Sequence, residues 1–219
     1  MCKQKTVFLS GEGDCWFKRN QQALSHRSFA NDEVVKAIQE LKPPVNNVLE
    51  IGCADGSRLD YLNRVMGLKC TGIDVSFSAI KSGCISFPNI KLEVCSADNL
   101  NFDNNSFNVV IIGFCLYLCD REDLFTIAKE VDRVLSDNGV VIINDFHPLH
   151  PYKKAYVHSD GIYSFKMDYS RLFTWNPIYT KIYQKISSAR DAIMKIYKKL
   201  RYRRVYKNVE ILSSFQALV

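Results

Sequence analysis

The chain has 219 residues, of which 47% are hydrophobic and 24% are charged, and this balance excludes wholesale disorder. A chain of this length accommodates one ordinary α/β domain with an appendage rather than two full domains. The net charge of +6 is divided unevenly, with 15 Lys and Arg against 19 Asp and Glu in residues 1–150, and 14 against 4 in residues 151–219. We therefore expect the two parts to face different partners.

Neither a secretory leader nor a membrane-spanning segment is predicted. The start of the chain carries only a short apolar stretch, and the longest apolar run, 109–119, has 11 residues, whereas a spanning helix needs about 20. The eight cysteines include no CxxC pair. We therefore expect free thiols, no metal site and a cytoplasmic location.

In chain order, the first 44 residues are mostly polar, with a helical stretch at 33–38 that ends before Pro43 and Pro44. Strands and helices then alternate. The predicted strands are 48–51, 70–75, 90–95, 107–112 and 140–143, and the predicted helices are 58–66, 76–84 and 121–135. The last of these helices is expected to close at Asn138 and Gly139 with a left-handed cap. The order predicts an α/β fold with a doubly wound, mostly parallel Rossmann-like sheet and helices on both faces.

After residue 150 the pattern changes. Residues 151–180 are rich in Tyr and Phe, 178–186 suit a strand, 188–203 suit a basic helix, and 205–212 suit a last strand. Whether a final antiparallel strand completes the sheet stays open. We predict three parts: a helical lid over the cofactor (1–44), a cofactor-binding core (45–150), and an aromatic-rich, basic substrate or cap region (151–219).

The residues that carry chemistry follow the predicted strands, where ligands bind in open α/β sheets. Gly52 and Gly56 permit a tight turn and a close approach of backbone to a ligand. Asp74 ends the second strand, 22 positions after Gly52, close to the spacing at which an acidic residue binds a ribose diol. Each residue also has a simpler interpretation, as a turn glycine or a helix cap.

Two classes of cofactor use this layout. A dinucleotide turn that starts at Gly52 needs glycine where Ala54 and Ser57 stand, so one of its three glycines matches. The looser acidic-x-Gly-x-Gly-x-Gly pattern of S-adenosylmethionine sites matches at Glu50, Gly52 and Gly56. A negative charge at Glu50 would repel a pyrophosphate but suits the cationic amino end of S-adenosylmethionine.

Taken together, five motifs make the chain resemble a class I S-adenosylmethionine-dependent methyltransferase, of the type that acts on small molecules, over residues 45–147. They are VLEIGCADG at 48–56, GID at 72–74, SADNL at 96–100, DNNSFNVV at 103–110 and EVDRVL at 130–135. Three further segments resemble methyltransferases of bacterial sugars or surface polysaccharides: EGDCWFKRN at 12–20, DFHP at 145–148 and GIYSFKMDYS at 161–170.

The resemblance implies S-adenosylmethionine as the cofactor and a set of residues that bind it. The methionine part would contact Glu50, Gly52, Cys53, Ala54 and Gly56; the ribose Asp74; the adenine Val75, Asp98, Asn99 and Leu100; and the sulfonium Phe114 and Cys115. Trp16 would cover the cofactor and Arg19 would pair with its carboxylate. Trp16 as a core residue and Arg19 as a surface charge are the alternatives.

The expected reaction is methyl transfer to oxygen of a small-molecule or glycan-like acceptor. His147, with Asp145, is the candidate base, since the attacking hydroxyl must lose a proton; a turn residue is the alternative, and alignment alone can supply much of the rate. The basic C-terminal region could instead bind RNA or an anionic membrane surface, or be a solvated helix. An RNA methyltransferase and a cofactor-binding module without turnover remain the rival functions.

Overall fold

A seven-stranded sheet forms the centre of the structure, a computed structural model that describes residues 3–41, 46–187 and 192–199. Its strands, with a separate hairpin, are β1 (Asn47–Ile51), β2 (Lys69–Asp74), β3 (Lys91–Val94), β4 (Phe107–Gly113), β5 (Leu135–Phe146), β6 (Tyr152–Ala155), β7 (Tyr163–Lys166), β8 (Tyr179–Ser187) and β9 (Ala192–Lys199). The α-helices in the same ranges are α1 (Gln4–Val7), α2 (Gly13–Ser25), α3 (Glu33–Leu41), α4 (Ser57–Met66), α5 (Phe77–Ser86), α6 (Leu124–Val134) and α7 (Arg171–Thr174).

The strand order is β3-β2-β1-β4-β5-β9-β8, and β1 to β5 are all parallel to their neighbours in it. Strand β9 pairs antiparallel with β5, and β8 pairs antiparallel with β9. The predicted doubly wound, mostly parallel fold is confirmed, and an antiparallel pair completes the sheet. The strand order reverses between β1 and β4, which is where open α/β sheets bind ligands.

Both faces of the sheet are covered, which explains the continuous apolar runs in the central strands. Four side chains of the central strands are completely buried: Leu49, Val110, Ile111 and Ile112. One hydrophobic cluster joins one face of the sheet to α3, α4 and α5, and another joins the opposite face to α6 and α7. Burial of side chains of this size contributes roughly 1.5–3 kcal/mol each.

The C-terminal part corrects one prediction and confirms another. The strand expected at 178–186 is present as β8, but the basic helix expected at 188–203 is wrong, because 192–199 forms β9. Alternate residues Lys195, Tyr197 and Lys199 are buried, a period of two that the basic composition hid. The buried ammonium groups have partners: Lys195 donates to Asp168, and Lys199 donates to the backbone carbonyls of Asp132 and Leu135. The strand predicted at 205–212 lies outside the described residues.

The left-handed turn at 138–139 is also in a different place from the one expected. Helix α6 ends at Val134 and β5 begins at Leu135, so Asn138, with φ +63°, lies inside β5 rather than in a helix cap. The pairing of β4 with β5 shifts register between Phe107 and Val109, and the extra residues of β5 are accommodated there.

A helical N-terminal arm, residues 4–25, crosses the carboxyl ends of the strands. It consists of α1, a π-helical turn and α2, with a kink at Gly11, whose φ is +140°. Asp14 fixes the arm, because its Oδ1 accepts from the Ser76 hydroxyl (2.7 Å) and the Ser78 backbone N–H (2.9 Å) at the start of α5. Ser76 in turn caps α5, because its side chain accepts from the Ala79 N–H.

Strands β6 and β7 form a separate antiparallel hairpin beyond the end of β5. Tyr156, which follows β6, packs against Phe8 of the N-terminal arm with ring centroids 5.9 Å apart. In the part of the chain that the structure covers, no helix combines the length and the apolar character that a membrane crossing requires.

Adding a methyl group at Gly83 is expected to destabilise the fold. A Cβ there would overlap the backbone carbonyl of Asp55, because α5 packs directly on the turn after β1. Alanine favours a helix over glycine by about 1 kcal/mol, but overpacking against backbone costs about 1–3 kcal/mol. We expect urea unfolding of Gly83→Ala to show a net loss of stability. Lys81→Ala, an exposed position of the same helix, is the control, and a Gly83→Ala protein as stable as wild type would contradict this packing.

Candidate functional site

A cavity of about 220 Å³ lies at the carboxyl ends of β1, β2 and β4, under the N-terminal arm. Most of the residues that the sequence assigned to a cofactor line this cavity. They are Trp16, Glu50, Gly52, Cys53, Ala54, Asp74, Val75, Asp98, Phe114 and Cys115. The cavity lies at the reversal of strand order, as expected for a nucleotide-like ligand.

The turn after β1 brings backbone rather than side chains to the cavity. Gly52, Ala54 and Gly56 all have positive φ, at +76°, +51° and +76°. A Cβ at Gly52 would lie 2.9 Å from the Cβ of Cys115, so the turn after β1 and the turn after β4 are in direct contact. Alanine at 54 accepts the left-handed conformation at a cost of roughly 1–2 kcal/mol, and this departure from glycine leaves the turn intact.

Asp74, at the end of β2, joins this turn to the start of α5. Its Oδ2 accepts from the Ala54 N–H at 2.9 Å and its Oδ1 from the Ser76 N–H at 2.9 Å. Burial raises the pKa of the Asp74 carboxyl, and these donors act in the opposite direction. A carboxylate has about four lone-pair positions, so both oxygens retain capacity to accept from a ligand in the cavity.

Asp98, after β3, is tied to the N-terminal arm. Lys5 of α1 donates to its Oδ2 at 2.5 Å, and Ser96 donates to its Oδ1. Burial alone would raise the pKa of Asp98, but the hydrogen bonds from Lys5 and Ser96 outweigh it and lower the pKa. Asp98 is therefore ionised at neutral pH and holds the arm over the cavity.

Glu50 is not the isolated negative charge that the sequence suggested. It is 2% exposed and forms a buried ion pair with Arg58 of α4, which also contacts Asp32 at 3.2 Å. Arg27 pairs with the same Asp32 at 2.7 Å. Burial raises the pKa of the Glu50 carboxyl, and Arg58 opposes that change. Among the described residues, Oε2 of Glu50 has no hydrogen-bond partner although it is buried, so it can accept from a ligand.

Four of the expected cofactor residues do not line the cavity. A Cβ at Gly56 would meet Leu92 and Ile90, so this glycine serves the packing of the turn. Leu100 is 4% exposed in the core, and Asn99 precedes it. Arg19 pairs with Glu12 and donates to the Tyr156 hydroxyl at 3.0 Å, at the outer side of the arm.

Neither candidate base lines the cavity either. Asp145 is 1% exposed, and its Oδ1 accepts from the Phe146 N–H at 2.7 Å. His147 has its Nδ1 buried, 3.7 Å from Oδ1 of Asp168. Burial raises the pKa of the Cys115 thiol well above its ordinary value, so this cavity residue is a neutral thiol rather than a nucleophile.

The buried Asp145 carboxyl is expected to make stability depend on pH. Burial raises its pKa to about 7, against the effect of neighbouring backbone N–H groups and Lys166. The unfolded value is about 3.9, so the native state binds the extra proton in between, and the stability it provides is lost as pH rises toward 7. Asp145→Asn lacks this loss. Its melting temperature relative to wild type should rise by several degrees between pH 5 and pH 8, since 1 kcal/mol corresponds to about 2–4 °C.

Thermal melts at the two pH values measure this effect, with the exposed loop variant Asp103→Asn as the control. An equal difference in melting temperature between Asp145→Asn and wild type at pH 5 and pH 8 would contradict a raised pKa. The control should show no comparable change with pH, because its side chain is exposed.

Sequence reasoning missed several residues at the site. Lys5, Asp14, Arg27 and Arg58 contribute through contacts between segments far apart in sequence, or with a partner on another element. Only Arg58 carried a local signal. It stands in the first turn of the helix that follows Glu50, and a buried acid at the end of a strand needs a cation nearby.

Comparisons with known proteins agree with this geometry. A family model described as a methyltransferase domain matches residues 48–139. Demethylmenaquinone methyltransferases of Staphylococcus epidermidis and Chlorobaculum parvum are both 31% identical, over 64% and 60% of this chain and 55% and 54% of their own length. The chain therefore spans about half the length of these curated relatives.

Solved structures share the fold. The 1,6-didemethyltoxoflavin-N1-methyltransferase of Burkholderia thailandensis, crystallised with 1,6-didemethyltoxoflavin and S-adenosylhomocysteine, superposes with a TM-score of 0.74 at 11% identity, over 92% of both chains. An S-adenosylmethionine-dependent methyltransferase from Methanosarcina mazei gives a TM-score of 0.64 at 17% identity, over 75% of this chain and 97% of that one.

The strand order, the antiparallel pair at β5 and the cavity under a helical arm define a Rossmann-like fold of the methyltransferase type. Residues 48–139 match the family model of a methyltransferase domain, and the fold is similar to that of class I S-adenosylmethionine-dependent methyltransferases. S-adenosylmethionine is the methyl donor of this class. The unpartnered Oε2 of Glu50 and the carboxylates of Asp74 and Asp98 fit its ammonium, hydroxyl and amino groups.

Proposed function

We propose that the protein transfers the methyl group of S-adenosylmethionine to an oxygen atom of a small-molecule acceptor. The observation that carries the proposal is one cavity lined by Glu50, Asp74 and Asp98, three acceptors that come from the ends of three neighbouring strands. When bound, the cofactor supplies an electrophilic methyl group on its sulfonium.

Each carboxylate suits a different part of the cofactor. Oε2 of Glu50 accepts from the ammonium of the methionine part, Asp74 accepts from the ribose hydroxyls, and Asp98 accepts from the adenine amino group. Hydrogen bonds to charged groups contribute roughly 1.5–3 kcal/mol each. The N-terminal arm covers the cavity with Phe8 and Trp16, and Lys5 holds it down on Asp98.

The acceptor would bind beside the methionine part, where the turn after β4 is aromatic. Phe114 lines the cavity and packs edge-on against Phe146, with ring centroids 5.5 Å apart at 80°. Tyr117 packs on the same ring at 5.0 Å and 85°. Aromatic walls suit the flat face of an aromatic acceptor and also the CH-lined face of a sugar ring, so they accommodate both a small aromatic and a glycan-like acceptor.

Transfer to oxygen requires the loss of a proton, and His147 and Asp145 are the groups we propose for it. Nδ1 of His147 lies 3.7 Å from Oδ1 of Asp168, which places the ring beside that carboxylate. Because neither residue lines the cavity, we expect alignment to supply most of the rate, for which effective molarities allow about 7–11 kcal/mol.

A calorimetric titration with S-adenosylhomocysteine tests the proposal most cheaply. We expect saturable binding with one ligand per chain, followed by detectable release of S-adenosylhomocysteine when a panel of hydroxylated acceptors is added with S-adenosylmethionine. A folded protein that gives no heat at high concentration would overturn the cofactor assignment. Binding without turnover on any acceptor would leave a cofactor-binding module instead.

An RNA acceptor is less well supported. Two lysines of the basic C-terminal region, Lys195 and Lys199, are 7% and 9% exposed and are occupied within the protein, so they are unavailable to phosphates. A titration with transfer RNA at two salt concentrations distinguishes an RNA acceptor from a small-molecule acceptor, because binding through phosphates weakens steeply as the salt concentration rises. Tight, salt-dependent binding would favour the RNA methyltransferase over the small-molecule enzyme.

A further inference from the structure

Among the described residues, the ammonium of Lys166 forms no ion pair and lies over the ring of Phe146, beside the aromatic residues where we propose that the acceptor binds. Lys166, at the end of β7, places its Nζ 4.0 Å from the ring centroid of Phe146 and 5.8 Å from that of Tyr152. Within the described ranges, no carboxylate forms an ion pair with it, although several nearby cations are paired. Cation–π contacts hold the side chain in position without adding a negative charge beside it.

The position of Lys166 connects it to the cofactor cavity through one aromatic ring. Phe146, under the ammonium, packs against Phe114, and Phe114 lines the cavity. Tyr117 packs on the same Phe146 and is hydrogen-bonded to Trp16, which covers the cavity from the arm. The rings of Trp16, Tyr117, Phe146 and Phe114 therefore form a connected aromatic wall from the cavity to the ammonium.

Asp145, whose carboxyl interacts electrostatically with Lys166, offsets only part of that positive charge at neutral pH. Asp145 is 1% exposed beneath the turn after β4, and burial raises its pKa to about 7, so a large part of it is uncharged at neutral pH. Asp168, two residues after Lys166, is occupied by Lys195 and Ser170. A ligand that reaches the wall therefore meets a positive potential that the protein itself leaves in place.

We infer that the methyl acceptor is a ring compound that carries an anionic group, with its ring packed on Phe114 and Phe146 and its anion paired with Lys166. This inference rests on the proposed function and narrows its acceptor class. Two sources share this chemistry, an aromatic acid and a sugar acid. A neutral acceptor would leave the ammonium without a partner after water is displaced, which costs binding energy.

Fluorescence of Trp16 tests the inference directly. The chain has two tryptophans, so Trp175→Phe leaves Trp16 as the single reporter. In this background, saturated with S-adenosylhomocysteine, we would titrate 4-hydroxybenzoate against methyl 4-hydroxybenzoate, and glucuronate against methyl glucuronate. We expect the anion of one pair to bind at least about tenfold more tightly than its ester, a difference of about 1.4 kcal/mol, and the pair that shows it identifies the source.

Variants of Lys166 locate the preference. Lys166→Met should bind the anion and the ester equally, and Lys166→Arg should retain the preference. The matched control is Lys153→Met, because Lys153 lies on the paired strand β6 with its Nζ 4.7 Å from the Tyr163 ring centroid, and it should also retain the preference.

Two results would overturn the inference: no preference for the anion in either pair with the wild-type Lys166, or a preference that persists in Lys166→Met. The wild-type comparison stands without any variant, so a misfolded variant does not block the test. A parallel titration with S-adenosylhomocysteine distinguishes failure of the proposed function from failure of this inference. Lost cofactor binding removes the proposed function, whereas intact cofactor binding with no anion preference removes only this inference.

Discussion

Replacing Asp74 by alanine is expected to weaken the binding of S-adenosylhomocysteine by at least about tenfold. The carboxylate lies in the cavity with lone pairs to spare, and two ribose hydroxyls would donate to it. Hydrogen bonds to a charged group contribute roughly 1.5–3 kcal/mol each, and tenfold in affinity is about 1.4 kcal/mol. The variant also loses the acceptor for the Ala54 and Ser76 N–H groups, so part of the effect arises from a looser turn.

Calorimetric titration of the purified variants measures the change, and Asp60→Ala is the matched control. Asp60 is a buried carboxylate on α4 that pairs with Arg64 at 2.7 Å and does not line the cavity. The control should bind the ligand as wild type does. An unchanged affinity in Asp74→Ala, in a protein whose melting temperature shows that it is folded, would remove Asp74 from the site.

Removing the cation between Glu50 and Asp32 should give the largest loss of stability. In Arg58→Met the carboxylate of Glu50, 2% exposed, would lose its ion pair, while Asp32 would keep Arg27 at 2.7 Å. Breaking a buried ion pair on one side costs about 3–5 kcal/mol. Denaturant unfolding of the variant measures this loss.

The double variant Glu50→Gln with Arg58→Met tests the cause of that loss. Because it removes the unpaired charge, it should recover a substantial part of the stability, since replacing both partners of a buried pair is often close to neutral. If the double variant is as unstable as the sum of the two single variants, the loss is one of packing rather than of charge.

The central sheet could be predicted because its strands are short apolar runs separated by helices with a period near 3.6. Strands β1, β2 and β4 and helices α4 and α5 follow the predicted segments closely. The N-terminal arm and β9 could not be predicted. Their polar or basic composition hides which side is buried, and contacts with distant residues, such as Asp14 with Ser76 and Lys195 with Asp168, decide it.

The cofactor side of the site could also be predicted from the sequence, because a tight turn requires glycine and the acidic residues stand directly after predicted strands. The glycine turn, Asp74 and Asp98 each end or follow a strand, and all line one cavity except Gly56. The acceptor side could not be predicted from the sequence. Phe114, Phe146 and Lys166 come together only because the β6–β7 hairpin packs near the turn after β4. Nothing in their spacing indicates that contact.

A crystal structure of the protein with S-adenosylhomocysteine tests the central claim most directly. We expect density for the ligand across the ends of β1, β2 and β4, with ribose oxygens within hydrogen-bond distance of the Asp74 carboxylate and the adenine amino group beside Asp98. Density for the ligand elsewhere, or a nucleoside in this cavity with both carboxylates turned away from it, would contradict the account.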